Sequence, residues 1–176
     1  MLGTLITSKT RIKLLLKFFL NAKNTGYLKN LEAEFEDSSN GIRLELNKFE
    51  EAGLLNSELV GNKKIFKANT KHPLFSDIHS IILKYTGIDQ IIETIVERLG
   101  NVNSVYLVGN LAKGLDSKVI DIIIVGDINK AYLLNLVEKA EPIIGKKIKY
   151  VLYQPEEFQS QENEILEEEH LLIWSR

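Results

Sequence analysis

Residues 109–126, GNLAKGLDSKVIDIIIVG, place two glycines in a polar loop ahead of a β-branched run that carries one aspartate, Asp121. A glycine turn can bring backbone N–H groups to a phosphate, and a carboxylate beside it can ligate a divalent cation, so the stretch has the ingredients of phosphate-and-metal chemistry. A second constellation lies earlier in the chain. Ser38, Ser39, Asn40, Arg43, Asn47 and Lys48 fall within one helical stretch, and Lys63, Lys64 and Lys67 follow on a short turn and strand. Hydroxyl, amide and guanidinium groups can hydrogen-bond a polar partner, and lysines can neutralise a polyanion. His72 and His79 are seven apart, which is not the i, i+4 spacing of a ligand pair, and His170 follows three glutamates. All three read as structural or surface residues.

Composition bounds the alternatives. The chain has 176 residues, 44% hydrophobic and 26% charged, which suits one ordinary domain or two small ones and excludes wholesale disorder. Cysteine is absent, so disulfides and thiolate metal sites are excluded. The apolar run LLLKFFL is too short and too interrupted by lysine to span a bilayer, and the expectation is a cytoplasmic protein with no membrane partner. Charge is divided unevenly along the chain. Through Lys71 there are 12 Lys+Arg against 8 Asp+Glu, a balance of +4; from His72 onward there are 10 against 16, a balance of −6. A basic N-terminal part joined to an acidic C-terminal part suggests that one half meets a polyanion.

The elements that position the first constellation can be read from periodicity. Residues 8–24 open with Ser8 as an N-cap and place Ile12, Leu15, Leu16, Phe19 and Leu20 at helical spacing. A polar turn at Asn24 to Gly26 leads to YLKNLEAEFE, a second helix. A third begins at Ser38 or Ser39, buries Ile42, Leu46 and Phe49, and stops at Gly53. LLNSELV and IFKAN then flank a turn on Gly61 and Asn62, the pattern of a β-hairpin.

On these residues, and above all on IRLELNKFEEAGLL, the stretch from about Thr7 to Asn69 resembles the winged helix-turn-helix of ArsR-like and MarR-like bacterial regulators. The resemblance implies that the third helix enters the major groove of double-stranded DNA, with Ser38, Ser39, Asn40, Arg43, Asn47 and Lys48 near the bases and phosphates. Lys63, Lys64 and Lys67 on the wing would meet the adjacent backbone or minor groove. Arg43 is the best base-reading candidate, and Glu45 on the same helix disfavours tight phosphate contact. Such modules commonly act as homodimers, and residues 72–100, two helices broken at Thr86-Gly87, offer spare apolar faces for that contact.

From Asn101 the period changes to that of β-structure: SVYLVGN, VIDIIIVGD and KIKYVLY read as strands, with a helix in NKAYLLNLVEKAEPIIG, a final helix from Pro155 and a closing strand LLIW. The glycine turn followed by the Asp121 strand resembles the minimal nucleotidyltransferases of the DNA polymerase beta superfamily. That resemblance implies a Gly-Ser phosphate turn and three carboxylates holding two metal ions. Residue by residue, Gly109 keeps the first glycine, Asn110 stands for the serine, Gly114 is the second glycine, and Asp121 keeps one carboxylate. Val119 stands for the second carboxylate and Lys149 for the third. Asp116, five residues before Asp121, does not share its face of a strand, and Asp127 reads as a turn or N-cap residue. Lys113, Lys118 and Lys149 could hold a nucleotide or other anion without turnover.

The expected fold is therefore α+β: a winged helix over 1–70, a helical connector over 71–100 and a small nucleotidyltransferase-like domain with a mixed sheet over 101–176. The expected function is a DNA-binding transcriptional regulator, not an enzyme, with no cofactor, no metal and no catalytic residue. Its vestigial nucleotide site comprises Gly109, Asn110, Lys113 and Asp121, and its partners are double-stranded DNA and a second copy of the chain. Two other readings stay open. One is a nucleotidyltransferase that modifies a protein or RNA and docks through the winged helix; the other is a partner-binding, antitoxin-like subunit.

Overall fold

A computed structural model describes residues 2–176 and divides them into two compact units, 2–85 with 114–116 and 86–113 with 117–176. Together they are α+β, with an antiparallel sheet in the first unit and a mixed sheet in the second. The stretch 71–100, expected as a connector, does not stand apart: 71–85 belong to the first unit and 86–100 to the second.

The first unit begins with a short helix, α1 (Leu2–Leu5), absent from the sequence reading, and then α2 (Lys9–Leu15), which Ser8 caps by accepting from the Arg11 backbone N–H at 3.2 Å. The helix does not run to Asn24. It widens into a π-helical segment, Leu16–Leu20, in which five consecutive residues are buried, Lys17 among them. This segment is therefore enclosed on all sides and has no single stripe. A two-residue strand, β1 (Thr25–Gly26), replaces the expected polar turn and pairs with β3. It is followed by α3 (Leu28–Phe35) and α4 (Ser39–Glu51).

Ser38 caps α4 by accepting from the Gly41 N–H at 3.3 Å. At the other end Gly53 takes φ +73°, its N–H bonded to the Glu50 carbonyl and that of Leu54 to the Phe49 carbonyl, the double closure of a Schellman motif. β2 (Leu55–Val60) and β3 (Lys63–Ala68) form the hairpin, and only Gly61 of its two-residue turn has positive φ. That is the requirement of a type II′ turn. The core is Leu14, Phe18, Phe19, Leu31, Ile42, Leu46 and Leu55. α5 (Phe75–Thr86) is tied to it through His79, whose Nδ1 lies 2.6 Å from the Phe19 carbonyl oxygen, and through Phe75, stacked on His79 and 5.7 Å from the Phe19 ring. His79 is thus structural, and His72 Nδ1 accepts from the Leu74 N–H.

In the second unit α6 (Ile88–Ile91), a π-helical turn (Ile92–Val96) and α7 (Glu97–Leu99) precede a four-stranded sheet of order β6-β5-β4-β7. β4 (Val102–Val108) is antiparallel to both β5 (Val119–Gly126) and β7 (Leu171–Ser175). β5 and β6 (Lys147–Tyr153) are parallel, joined by α9 (Lys130–Ile144); α8 is the single turn Gly109–Ala112. β5 is buried from Ile122 onward, which explains the β-branched run that follows Asp121. The cap of α9 is Asn129, which accepts from the Tyr132 N–H, so the N-cap expected at Asp127 lies two residues later and Asp127 is simply exposed. α10 (Pro155–Ile165) covers one sheet face by setting Phe158 against Ile123, Val125 and Tyr106.

Gly126 is held by close approach. A Cβ on Gly126 would sit 2.3 Å from the Asn101 carbonyl oxygen, a backbone atom that cannot swing aside. Gly126→Ala is expected to destabilise the protein by about 2 kcal/mol, the usual scale for overpacking. Chemical denaturation measures it, and an unchanged midpoint would contradict the packing described.

Candidate nucleic-acid interface and the Asp121 cleft

α4 has two faces. Ile42, Glu45, Leu46 and Phe49 point into the first unit, while Asn40, Arg43, Leu44, Asn47, Lys48 and Glu51 are exposed. Glu45 is the residue whose placement differs most from expectation. It is buried, and both its oxygens are taken by Arg11, Nε to Oε2 at 2.8 Å and Nη2 to Oε1 at 3.2 Å, with Lys48 Nζ 3.6 Å from Oε1. Burial raises its carboxyl pKa, but the hydrogen bonds and charge of Arg11 and Lys48 outweigh that and hold it below its ordinary value. Glu45 therefore does not oppose a polyanion from the exposed face.

The sign of the consequent pH dependence is fixed. A folded-state pKa below the unfolded one gives stability that is present above the unfolded value and lost as pH falls through the folded one. Glu45→Gln is expected to be about 1–2 kcal/mol less stable than the parent near neutral pH, by analogy with hydrogen bonds to charged groups, and the gap should close in acid below the ordinary carboxylate range. Denaturation midpoints across pH check this; a gap that persists in acid would contradict it.

The expected nucleic-acid residues are not equivalent once placed. Arg43 and Asn47 line a groove of about 680 Å³ together with Tyr27, Leu28, Lys29, Glu32, Leu46, Asn62, Lys63, Lys64 and Phe66. Helix α4, the start of α3 and the hairpin thus converge on one concave surface. Among the described residues Arg43 has no ion pair and no hydrogen bond, whereas Lys48 is paired with Glu45, Lys64 with Glu50 at 2.6 Å and Lys67 with Glu58 at 3.7 Å. Glu50 is held below its ordinary pKa by Lys64 and then by Ser57, whose Oγ donates to it. Lys63 Nζ sits 4.6 Å from the Tyr27 ring centroid, a cation–π contact on the groove wall. Ser38 spends its oxygen on the cap, while Ser39 and Asn40 are exposed in the first turn. Lys29 was missed by the sequence reading, since its only signal was a basic residue at the start of a helix not assigned to the site.

In the second unit the strand registers locate what surrounds Asp121. Asp121 pairs with Val108 on β4 and with Lys149 on β6, so the three side chains lie on one sheet face. Val119 is two residues before Asp121, on the same face. The position where a second carboxylate would stand is therefore apolar, and the third carries a cation. The face continues into Ile123 and Val125 under Phe158, but at Asp121 it is open, a cleft of about 530 Å³ lined by Val108, Asp121, Ile122, Ile148, Lys149, Tyr150 and Val151.

Gly109 adopts φ +68° and comes close to Asp121: a Cβ there would be 2.9 Å from Oδ2. Of the expected vestigial site, Gly109 and Asp121 are thus brought together and Asn110 is exposed beside them. Lys113 is not available as placed, because its Nζ donates to Glu168 Oε2 at 2.8 Å, a contact that raises the Lys113 pKa and lowers that of Glu168. Gly114 falls in the other compact unit. A divalent metal pair does not fit these residues: one carboxylate faces the cleft, an ammonium stands in register beside it, and no group of three or more His, Cys, Asp or Glu suited to a metal exists among the described residues. No described helix is long and apolar enough to cross a membrane.

No family model matches the sequence, and no curated protein matches it. Two solved structures are similar in part. The protein AF1382 from Archaeoglobus fulgidus is 21% identical over 53% of this chain and 98% of its own, with a TM-score of 0.39. A "putative nucleotidyltransferase" from Sulfolobus solfataricus is 22% identical over 57% of this chain and 88% of its own, with a TM-score of 0.36.

Proposed function

We propose that the first unit is a winged helix-turn-helix module that binds double-stranded DNA, and that the second is a nucleotidyltransferase-like domain without turnover, used for dimerisation or ligand sensing in a transcriptional regulator. The observation that carries the DNA reading is the convergence of unpaired Arg43 and Asn47 from α4 with Lys29 and Lys63 on one groove. An arginine without a counter-ion on an exposed helix face, flanked by amides and bordered by a lysine-bearing hairpin, suits the major groove and its phosphate rim. Glu45 is buried and does not face a polyanion there, while Glu32 lines the groove and Glu51 is exposed on α4. Two copies in a homodimer would match the two half-sites of a palindromic operator.

The test is electrophoretic and fluorescence-based binding of the full-length protein to genomic fragments, with Arg43→Ala combined with Lys63→Ala as the control. Retention of full affinity by the double variant would sink the reading. A second reading, a nucleotidyltransferase acting on a protein or RNA, is favoured by one feature, the open cleft in which Asp121 stands beside the Gly109 turn. Calorimetry with magnesium and ATP separates the two. Magnesium-dependent ATP binding that disappears in Asp121→Asn would support the enzyme, and its absence would leave the regulator.

A further inference from the structure

Asp121 and Lys149 are neighbours that do not pair. They are register partners on the parallel strands β5 and β6, so both side chains leave the same sheet face from strands about 4.8 Å apart. An aspartate and a lysine so placed would ordinarily meet, yet neither side chain has an ion pair or hydrogen bond among the described residues. Gly109 accounts for the separation. A Cβ on Gly109 would come within 2.9 Å of Asp121 Oδ2, and Gly109 follows β4, on the opposite side of β5 from β6. The carboxylate therefore leans over the glycine and away from Lys149, and the two charges stand apart in the cleft of about 530 Å³. Asp121 is half-buried and Lys149 exposed, so both can be reached from solvent. Apolar groups flank them. Val108 lies opposite Asp121 on β4, and Val151, half exposed, lies two residues beyond Lys149 on the same face.

We infer that this cleft takes a free α-amino acid with an aliphatic side chain: its ammonium on Asp121, its carboxylate on Lys149 and its side chain against Val108 and Val151. This rests on the ligand-sensing reading of the second unit and names the ligand class. The charge balance of the cleft favours a zwitterion over a nucleotide. A polyphosphate would gain Lys149 but meet the Asp121 carboxylate, and Val119, on the same face, offers no second carboxylate to bring in a neutralising metal ion. A molecule carrying one charge of each sign satisfies both side chains at once. Direct pairing of Asp121 with Lys149 on so open a face would be weak, so a ligand that gives each charge its own partner can hold them apart.

The experiment is calorimetric titration of the full-length protein with L-leucine, leucinamide, N-acetyl-leucine and ATP, with amide chemical shifts recorded to place each ligand. L-leucine should bind and shift the amides of Asp121 and Lys149. Leucinamide, which lacks the carboxylate, and N-acetyl-leucine, which lacks the ammonium, should each bind about tenfold more weakly, the scale of one charged hydrogen bond. Asp121→Asn should weaken L-leucine about tenfold and leave N-acetyl-leucine unchanged, while Lys149→Met should weaken L-leucine likewise and leave leucinamide unchanged. Equal binding of the three leucine compounds, or loss of all three together in either variant, would overturn the assigned contacts. ATP binding at the cleft with no response to L-leucine would overturn the amino-acid inference and leave a ligand-sensing domain standing. Cleft amides unmoved by all four compounds would overturn both.

Discussion

Arg43→Ala is expected to weaken binding of the full-length protein to its preferred duplex by about 10- to 100-fold, the range for loss of one bidentate arginine–base contact. The reason lies in what Arg43 lacks. Of the cations expected at the interface, Lys48, Lys64 and Lys67 each have a carboxylate within 4 Å, and Lys63 rests on Tyr27. DNA must compete with those partners for them, whereas Arg43 has none to surrender. Because its side chain points away from the core, the substitution should leave the denaturation midpoint within about 0.5 kcal/mol of the parent. Lys64→Ala should cost less affinity than Arg43→Ala, since it removes a cation already shared with Glu50. Equal losses for the two, or a collapse of stability in Arg43→Ala, would contradict this account of the face.

The second large effect is on folding. Lys17 is buried in the π-helical segment, its side chain 8% exposed, and its Nζ lies 2.7 Å from Glu34 Oε2, an ion pair that lacks the alignment of a directed hydrogen bond. Glu34 Oε1 accepts from Asn30, whose own Oδ1 accepts from the Tyr27 N–H at the start of α3. The pair thus fastens the first long helix to α3 and to the cap of α3. Removing one partner strands the other's charge in a site with little water, so Glu34→Ala should cost about 3 kcal/mol, the low end for buried pairs because Glu34 itself is 27% exposed. Replacing both members by apolar groups of similar size removes both desolvation costs, and the Lys17→Met, Glu34→Leu double variant should lie within about 1 kcal/mol of the parent. Chemical denaturation distinguishes them: a double variant as unstable as Glu34→Ala would show that the pair adds net stability.

Much of this was legible because the signals are local. The Ser8 and Ser38 caps, the Gly53 stop, the Gly61 turn and the period-2 runs of β4, β5 and β6 each depend on residues within a few positions of one another. What escaped depends on distant partners. Thr25 and Gly26 become a strand only by pairing with Lys67 and Phe66, some forty residues on. Glu45 looked like a surface acid because its arginine comes from α2, and residues 75–85 looked like a connector because His79 and Phe75 seek Phe19.

The candidate sites follow the same rule. Arg43 and Asn47 could be placed from helical spacing alone, and the loss of carboxylates around Asp121 could be placed from strand register, which sets Lys149 opposite it. Lys29 required the fold of α3 against the hairpin, and the capture of Lys113 by Glu168 spans 55 residues of sequence. A cation's presence in a loop is visible in a sequence; its availability is not.

The central claim, that the first unit binds double-stranded DNA through α4 and the hairpin, is tested most directly by the salt dependence of duplex binding. Affinity of the full-length protein for a duplex of about 30 bp, titrated from about 50 to 200 mM salt, should fall linearly in log–log form with a slope near −3, as expected when about three cations, Arg43, Lys29 and Lys63 foremost, displace counterions from the phosphates. The slope should move toward zero by about one when Lys63 is replaced by alanine. Binding that is absent at the lowest salt, or indifferent to salt across the range, would contradict the claim.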